Sequence, residues 1–249
     1  MIDFHSHILP GIDDGSADLE QSIRMLEMYQ GSGVDIIIAT PHYNIKEGTI
    51  DSFIQRRDTA YDKLINEIEK RNIVCPNILK GCEVSAFHGM GMSDDIERLC
   101  IEGTRSILIE LPFEKWSEWV FRAISNLSET RGMIPIIAHI ERYVKLVDTY
   151  HDFNKIFSAR AIAQVNSSTV IANKGKGIVK KFAQNNIIQL LGSDCHDDKR
   201  RVPNIAQALD ILQKKYGNEL LDRIEYASYS IIEDTPFNLP APMGFKKFF

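Results

Sequence analysis

Histidines and carboxylates dominate the N-terminal stretch MIDFHSHILPGIDDGS. His5 and His7 stand two residues apart, and Asp13 and Asp14 follow a Pro-Gly turn. Side chains at positions i and i+2 of a β-strand lie on the same face, so His5 and His7 can bind one cation. Imidazole and carboxylate ligands suit divalent ions such as zinc, manganese or iron(II). The stretch therefore predicts part of a metal site.

Seven short hydrophobic runs of β type alternate with helical patterns along the chain. The runs are Ile2–Phe4, Val34–Thr40, Ile78–Gly81, Ser106–Leu111, Ile134–Ala138, Ala161–Val165 and Ile187–Leu191. Helical spacing covers approximately residues 19–26, 54–68, 116–127, 153–157, 178–182 and 205–212. This alternation is typical of a parallel α/β fold. No linker or repeat divides the sequence, so we expect a single domain over residues 1–249.

Residues that ligate metals stand at or just after the carboxyl ends of these runs. They are His5, His7, His42, Glu83, Glu110, His139, Asp194 and His196, with Asn166 after the sixth run. In a (β/α) barrel the carboxyl ends of the strands meet at one face. We therefore expect these side chains to converge there. They exceed what one ion coordinates, so the sequence predicts two or three divalent metals, with Glu83 as a candidate bridge.

Composition narrows the class of protein. The formal net charge is −5, which argues against nucleic acid as a partner because the phosphate backbone binds basic surfaces. No apolar run approaches the ~20 residues of a membrane span, and no basic n-region precedes an apolar one. The four cysteines form no CxxC pair, so neither a disulfide framework nor a thiolate zinc site is indicated. We expect a cytoplasmic protein.

Arginines lie close to the candidate ligands. Arg142 is three residues past His139, and Arg200 and Arg201 follow Asp194. Guanidinium groups bind phosphate or carboxylate oxygens in a bidentate manner. Beside a metal cluster, they predict an anionic substrate. The alternative is that each arginine is a solvated surface charge or a structural ion pair.

A cysteine mechanism is a competing interpretation of the same segment. Cys195 and Arg201 fit the C-x5-R spacing of cysteine-dependent tyrosine phosphatases. Such a loop binds phosphate through successive backbone N–H groups and needs a thiol of lowered pKa. Here no glycine lies between the two residues, and Asp194, Asp197 and Asp198 disfavour both the thiolate and the phosphate. The sequence therefore favours metal chemistry.

With these residues in hand, the chain resembles the polymerase and histidinol phosphatase (PHP) superfamily. Within it, the sequence is similar to the bacterial capsule-type protein-tyrosine phosphatases, the CpsB/YwqE family. The segments that carry the resemblance run in family order within residues 1–204: MIDFHSHILPGIDDG, ATPH, GCE, ILIELPF, AHIERY and GSDCHDDKRRVPN. The first and the AHIERY segment are specific, whereas ATPH and GSDxH occur across PHP proteins. Cys195 departs from the pattern, which has a small residue there.

The resemblance implies a distorted seven-stranded (β/α) barrel with three metals at the carboxyl ends of its strands. It implies three ligand sets: His5, His7, Glu83 and Asp194; Glu83, Glu110 and His139; and His42, His196 and Asp14, with Asp13 as the competing choice for Asp14. Arg142 and Arg201 match phosphate-binding arginines, and Arg200 is the alternative to Arg201. His42 and Asp14 are further candidates for shaping the water network at the reaction centre.

The implied activity is metal-dependent hydrolysis of phosphotyrosine by a metal-bound hydroxide. The implied substrate is the tail of a bacterial tyrosine kinase that controls capsular or exopolysaccharide synthesis. Manganese is the favoured metal, with iron, zinc or magnesium as alternatives. Residues 226–249 match the family poorly and fit no predicted element; we expect the terminal Phe-Lys-Lys-Phe-Phe to dock on the barrel or on another subunit of a homo-oligomer.

Three rival functions stay open at this point. One is another PHP phosphoesterase reaction, such as histidinol-phosphate hydrolysis. A second is an amidohydrolase-like barrel, which also begins with HxH but often uses a carboxylated lysine where this chain has Glu110. The third is a metal-stabilised regulatory domain that binds a phosphopeptide without cleaving it. The full ligand set argues against the third.

Overall fold

The fold, taken from a computed structural model that describes residues 1–246, is α/β with strands that all pair in parallel. Nine strand segments occur in that range: β1 Ile2–Ser6, β2 Ile36–Ala39, β3 His42–Tyr43, β4 Asn77–Lys80, β5 Glu83–Ser85, β6 Ser106–Glu110, β7 Ile134–Ile137, β8 Ile162–Asn166 and β9 Leu190–Gly192. Helices or helical turns connect most of them, as the alternating sequence pattern predicts.

Eight α-helices lie in the described range. They are α1 Leu19–Glu27, α2 Ile50–Arg71, α3 Glu118–Ser125, α4 His151–Ser158, α5 Ser167–Asn173, α6 Ile178–Gln184, α7 Ile205–Tyr216 and α8 Asn218–Ile232. The Asp18 side chain accepts a hydrogen bond from the Gln21 N–H at 2.8 Å and so caps α1. Within residues 1–246, no helix is both long and apolar enough to cross a membrane.

The strands form two sheets, in the orders β1-β2-β4 and β3-β5-β6-β7-β8-β9. The two sheets meet where β2 is followed by β3 and β4 by β5. Hydrogen bonds continue across this junction, from the Gly81 N–H to the Ala39 carbonyl at 2.9 Å and from the Glu83 N–H to the Pro41 carbonyl at 3.0 Å. The sheet is therefore curled, and the strand ends are brought toward one another.

The other edges of the two sheets also lie side by side. The Asp194 N–H donates to the His5 carbonyl at 2.7 Å, and the His7 N–H donates to the Cys195 carbonyl at 2.9 Å. These bonds join the end of β1 to the segment that follows β9. Gly192 permits this approach, because a Cβ there would lie 2.5 Å from the His5 Cβ.

Nine segments rather than seven arise because a short extra strand follows each of two predicted runs, Val34–Thr40 and Ile78–Gly81. The run Val34–Thr40 becomes β2, and β3 follows after a break at Thr40 and Pro41; proline has no N–H with which to continue a ladder. A similar break at Gly81 and Cys82 separates β4 from β5. The breaks place His42 and Glu83 at the start of new strands, where the two residues pair in register.

The C-terminal residues are more ordered than the sequence predicted. Residues 226–232, expected to fit no element, complete α8, in which Leu220, Ile224, Ala227 and Ile231 are buried at helical spacing. Beyond it, the buried Phe245 ring packs edge-on against Phe153 of α4 and Phe182 of α6.

The tail therefore docks, in part, on its own chain. Phe245 exchanges hydrogen bonds with Thr149, from the Phe245 N–H to the Thr149 carbonyl at 3.1 Å and from Thr149 Oγ1 to the Phe245 carbonyl at 2.6 Å. The last three residues of the predicted docking segment, 247–249, lie outside the described residues.

Candidate metal centre

The carboxylate of Glu83, at the start of β5, lies among four imidazole rings. Its Oε2 is 3.1 Å from His5 Nε2, 3.4 Å from His7 Nε2 and 3.1 Å from His42 Nδ1. Its Oε1 is 2.8 Å from His139 Nε2. Glu83 is almost completely buried. Four rings from three separate strand ends thus converge on one carboxylate.

His5 and His7 point their Nε2 atoms toward each other, 3.0 Å apart. Each ring is held from behind through its Nδ1 atom. His7 Nδ1 is 2.7 Å from Asp13 Oδ2, and His5 Nδ1 is 3.2 Å from Gln164 Oε1. An acceptor at Nδ1 fixes the tautomer that leaves the Nε2 lone pair free for a metal. Both rings are therefore oriented as ligands.

The two N-terminal aspartates occupy different positions. Asp13 is buried behind His7 and also accepts hydrogen bonds from the backbone N–H groups of Gly15 at 2.9 Å and His42 at 3.0 Å. Asp14 is 69% exposed in its side chain. Asp14 Oδ1 lies 3.3 Å from His42 Nε2 and 3.4 Å from His196 Nε2. Asp14, rather than Asp13, shares a potential coordination position with these two histidines.

A third group lies on the other side of Glu83. His139 Nε2 is 3.4 Å from Glu110 Oε1, in addition to its contact with Glu83. The buried His139 Nδ1 has no hydrogen-bond partner among the described residues. His139 itself has a positive φ of 32°, a backbone conformation that is strained for residues other than glycine. The strand end is thus distorted where it presents this ring.

The Asp194 carboxylate contacts both the histidines and two arginines. Its Oδ1 lies 3.5 Å from His5 Nε2 and 2.6 Å from Arg201 Nη2, and its Oδ2 bonds to Arg142 Nη2. Asn166 Nδ2 also donates to Asp194 Oδ2, at 2.8 Å. The two arginines that the family resemblance matches to phosphate-binding residues, Arg142 and Arg201, therefore reach the edge of the histidine cluster.

Asp194 and His196 are two residues apart, like His5 and His7, but they do not lie on one face of a regular strand. Strand β9 ends at Gly192, and Asp194 has a φ of 52°. Asp194 consequently faces His5, whereas His196 places its Nε2 against Asp14. The two side chains belong to different parts of the cluster.

The charges of the cluster shift the pKa values of its members. Burial alone would lower the pKa of His5, but Glu83 and Asp194 outweigh that effect and raise it to about 9. Burial also opposes ionisation of Glu83 and Asp194. Nevertheless, His5 and its neighbours hold the pKa of both carboxyl groups well below the usual range. The carboxylates are therefore ionised and need positive charge beside them.

The donor set fits divalent cations. Three groups bring single ligand atoms within 4.8 Å of one another: His7, Asp14, His42 and His196; His5, His7 and Glu83; and His42, Glu83 and Glu110. Nitrogen and carboxylate oxygen donors of this kind suit zinc, manganese and iron(II). Two imidazole nitrogens 3.0 Å apart beside a buried carboxylate form a geometry that a cation between them would satisfy. The residues present therefore fit divalent metal ions.

Cys195 is not placed as a nucleophile. Its side chain is fully buried, with Sγ 3.6 Å from Tyr29 Oη. Burial and the nearby Asp3 raise the pKa of the Cys195 thiol to about 12, so the thiolate is not populated near neutral pH. The geometry does not support the C-x5-R interpretation.

Sequence reasoning missed Gln164, whose side chain links three strand ends. Gln164 Oε1 accepts the His139 N–H at 2.8 Å as well as facing His5, and Gln164 Nε2 donates to Asn166 Oδ1 at 2.9 Å. The available signal was its position two residues before Asn166 on β8, which puts both side chains on the face of the site. The sequence places Asn166 after the sixth predicted run but indicates no role for it.

Comparison with known proteins identifies the family of this chain. A family model described as "Capsular polysaccharide synthesis, CpsB/CapC" matches residues 1–232. The chain belongs to the CpsB/CapC family. Among curated CpsB/CapC relatives, tyrosine-protein phosphatase YwqE of Bacillus subtilis (strain 168) is 32% identical over 225 residues, which cover 88% of this chain and 87% of YwqE. Tyrosine-protein phosphatase CpsB of Streptococcus agalactiae (serotype III, strain NEM316) is 29% identical over 238 residues, with 90% and 94% covered.

Solved structures agree with membership of the CpsB/CapC family. One, described as YwqE from Bacillus subtilis and CpsB from Streptococcus pneumoniae, "unique metal-dependent tyrosine phosphatases", superposes with a TM-score of 0.82 at 28% identity and covers 99% of this chain and 100% of that one. The inactive dihydroorotase-like domain of a Chaetomium thermophilum CAD-like protein has a TM-score of 0.52 at 13% identity, covering 95% and 79%. This second likeness concerns the fold alone. The family resemblance read from the sequence is confirmed.

Replacement of Gln164 by leucine tests the orientation of the His5 ring in this CpsB/CapC chain. We expect Gln164→Leu to weaken metal binding about 10- to 100-fold, because the acceptor behind His5 Nδ1 is lost. Competition with a chromophoric chelator, using manganese and zinc separately, measures this affinity.

The matched control is the same substitution at Gln207, an exposed glutamine of α7. Gln207→Leu should leave the metal affinity unchanged. Equal affinities for wild type and Gln164→Leu would contradict the orienting role.

Proposed function

We propose that this protein is a metal-dependent protein-tyrosine phosphatase that hydrolyses phosphotyrosine monoesters. The observation that carries the proposal is the convergence of four imidazole rings on the buried Glu83 carboxylate, with Arg142 and Arg201 at the edge of the same cluster. Metal ligands and guanidinium groups are thus adjacent. The relatives named as tyrosine-protein phosphatases support the choice of substrate class.

We assign the ligands as three overlapping sets. The sets are His5, His7, Glu83 and Asp194; Glu83, Glu110 and His139; and His42, His196 and Asp14. Glu83 would serve both the first and the second set. Asp14 is preferred to Asp13 because its carboxylate faces His42 and His196, whereas Asp13 is occupied by His7 Nδ1 and two backbone N–H groups. His7 lies between the first and third sets, since it belongs to one candidate group with His5 and Glu83 and to another with Asp14, His42 and His196.

When bound, divalent ions supply Lewis-acid activation of water and neutralise charge on the phosphoryl oxygens. The protein supplies the remaining interactions. Arg142 and Arg201, each paired with Asp194 here, are placed to exchange part of that contact for phosphoryl oxygens, which guanidinium groups bind in a bidentate manner. Such fixed positive charge stabilises the transition state of phosphoryl transfer.

The tyrosinate leaving group requires little proton donation from the protein. Tyrosine has a pKa of about 10, so a departing tyrosinate needs less proton donation than a departing serine alkoxide. Asp14 is exposed and lies beside His42 and His196. From there it can accept a hydrogen bond from water at the open side of the site. His42 and Asp14 accordingly shape the water network, in addition to their role as ligands.

The wider assignments follow from the same family membership. We propose that the substrate is a phosphotyrosine protein, the tail of a bacterial tyrosine kinase in capsular polysaccharide synthesis, and that manganese is the preferred metal. We also interpret the two sheets as one distorted seven-stranded barrel within a single domain. Two groups of hydrogen bonds support this interpretation: one joins β1 to the segment after β9, and the other joins the β2–β3 connection to the β4–β5 connection. A cytoplasmic location and a homo-oligomer stay predictions.

Chelation separates the metal mechanism from the cysteine mechanism. We expect EDTA to abolish hydrolysis of a phosphotyrosine peptide, and manganese to restore it, because the ligands cannot act without the cation. Cys195→Ser should retain activity, since the thiol is buried away from the cluster. Phosphate release measures both. Activity that survives EDTA but disappears in Cys195→Ser would refute the metal mechanism.

The same assay separates the rival functions. Faster hydrolysis of histidinol phosphate than of the phosphotyrosine peptide would favour another PHP phosphoesterase activity. Phosphopeptide binding by metal-loaded protein without phosphate release would favour a regulatory binding domain.

The neighbouring arginines offer a matched pair of variants. Arg201 Nη2 lies 2.6 Å from Asp194 Oδ1, whereas Arg200 has an exposed side chain. We expect Arg201→Gln to lower kcat by about 10²- to 10³-fold, the usual cost of losing one fixed electrostatic contact to the transition state. Arg200→Gln should stay within about twofold of wild type, a change too small to matter in transition-state energy. Steady-state kinetics with a phosphotyrosine peptide compare the two, and a larger loss at Arg200 would reverse the assignment.

A further inference from the structure

An aromatic side chain stands exposed at the edge of the metal centre. Phe113 lies three residues after Glu110, in the segment that follows β6, and 52% of its side chain is exposed. Most large apolar side chains of this chain are buried. Phe113 therefore presents an apolar surface next to a cluster of charged and polar ligands.

One side of the Phe113 ring is supported by two other rings. Its centroid is 5.9 Å from that of His139, with 22° between the planes, and 5.5 Å from that of Tyr143, with 27° between the planes. Tyr143 is itself fully buried and its Oη accepts the Leu111 N–H at 2.8 Å. The near-parallel rings fix the orientation of Phe113 and leave its other side toward solvent.

The supporting rings belong to the segment that also carries a phosphate-binding candidate. Arg142 lies between His139 and Tyr143 in sequence and contacts Asp194 in the cluster. His139 contacts both Glu83 and Glu110. Phe113 thus stacks directly on a proposed metal ligand, His139, which is three residues from Arg142 in the sequence.

The geometry of phosphotyrosine makes this position significant. Its phosphorus is separated from its phenyl ring by a single oxygen atom, so a phosphoryl group bound in the cluster must hold that ring at the rim of the site. We infer that Phe113 is a specificity-determining residue whose exposed face stacks on the phenyl ring of phosphotyrosine. Offset stacking of this kind occurs at centroid separations of about 4.5–7 Å. This inference rests on the proposed function.

The assignment also predicts a preference among phosphomonoesters. Phosphoserine and phosphothreonine place no ring at the rim, so their esters gain nothing from Phe113. The charged residues of the cluster hold any phosphoryl group, whereas Phe113 favours those attached to an aromatic ring. The metal centre and Phe113 thus have separable contributions, the first to chemistry and the second to the choice of leaving group.

The test compares a substrate that has the ring with a ligand that lacks it. For manganese-loaded wild type and Phe113→Leu, we measure kcat and KM with a phosphotyrosine peptide and the inhibition constant of inorganic phosphate. We expect KM for the peptide to rise about two- to tenfold, with kcat and the phosphate inhibition constant unchanged, because one aromatic contact to the bound ring is lost. Phe113→Tyr should restore KM.

Tyr226→Leu, which removes a 49% exposed ring on α8, serves as the control and should match wild type. A Phe113→Leu variant with unchanged KM, or one in which KM and the phosphate inhibition constant rise by the same factor, would overturn the inference while leaving the phosphatase activity intact. The second result would mean that Phe113 only supports His139. Failure of the loaded wild type to release phosphate from the peptide would instead overturn the proposed function, and this inference with it.

Discussion

The candidate metal centre and the strands around it depend on the burial of the Glu83 carboxylate among histidines. An ionised carboxylate removed from water is strongly destabilised unless it is paired. Here its two oxygens lie within 3.4 Å of nitrogens from His5, His7, His42 and His139. His5 and His7 come from the end of β1, His42 from β3 and His139 from the segment after β7. The charge can therefore be compensated only when these strands and β5 are correctly assembled. The same contacts define the site and constrain the fold around it.

Backbone geometry reflects this demand. Among the described residues, His139 and Asp194 adopt positive φ values of 32° and 52°, which are costly for residues other than glycine. Both are candidate ligands at strand ends. At two other positions glycine allows the backbone to approach: a Cβ at Gly15 would lie 2.4 Å from the His7 Cβ, and one at Gly192 would lie 2.5 Å from the His5 Cβ. Backbone distortion and close packing thus both occur where the imidazole rings converge.

The sequence was informative about the ligands because their spacing follows a local rule. His5 and His7 share a face through strand alternation, and the αβ alternation predicted that the later strand ends would join them. The structure indeed brings all the predicted ligand residues into one cluster. By contrast, Asp13 and Asp14 could not be separated from sequence, since the choice depends on how the loop after His7 turns toward His42 and His196.

Other features depended on contacts between distant segments. The role of Gln164 requires the register of β8 against both β1 and β7, which no local pattern specifies. The short strands β3 and β5, which the sequence did not predict, belong to the second sheet, on the other side of the junction from β2 and β4. Phe113 carries no motif of its own; its significance is visible only when His139 and Tyr143 are seen behind it. Sequence reasoning thus succeeded where periodicity set the geometry, and tertiary pairing determined the rest.

The central claim is that the histidine and carboxylate cluster holds catalytic metal ions, and anomalous scattering tests it most directly. Crystals of the protein prepared with manganese, measured on both sides of the manganese absorption edge, should show two or three anomalous peaks among Glu83, Asp14 and Asp194, each at coordination distance from the imidazole nitrogens. The wavelength dependence would identify the element. Absence of peaks in this cluster, from crystals of protein that hydrolyses phosphotyrosine, would contradict the account.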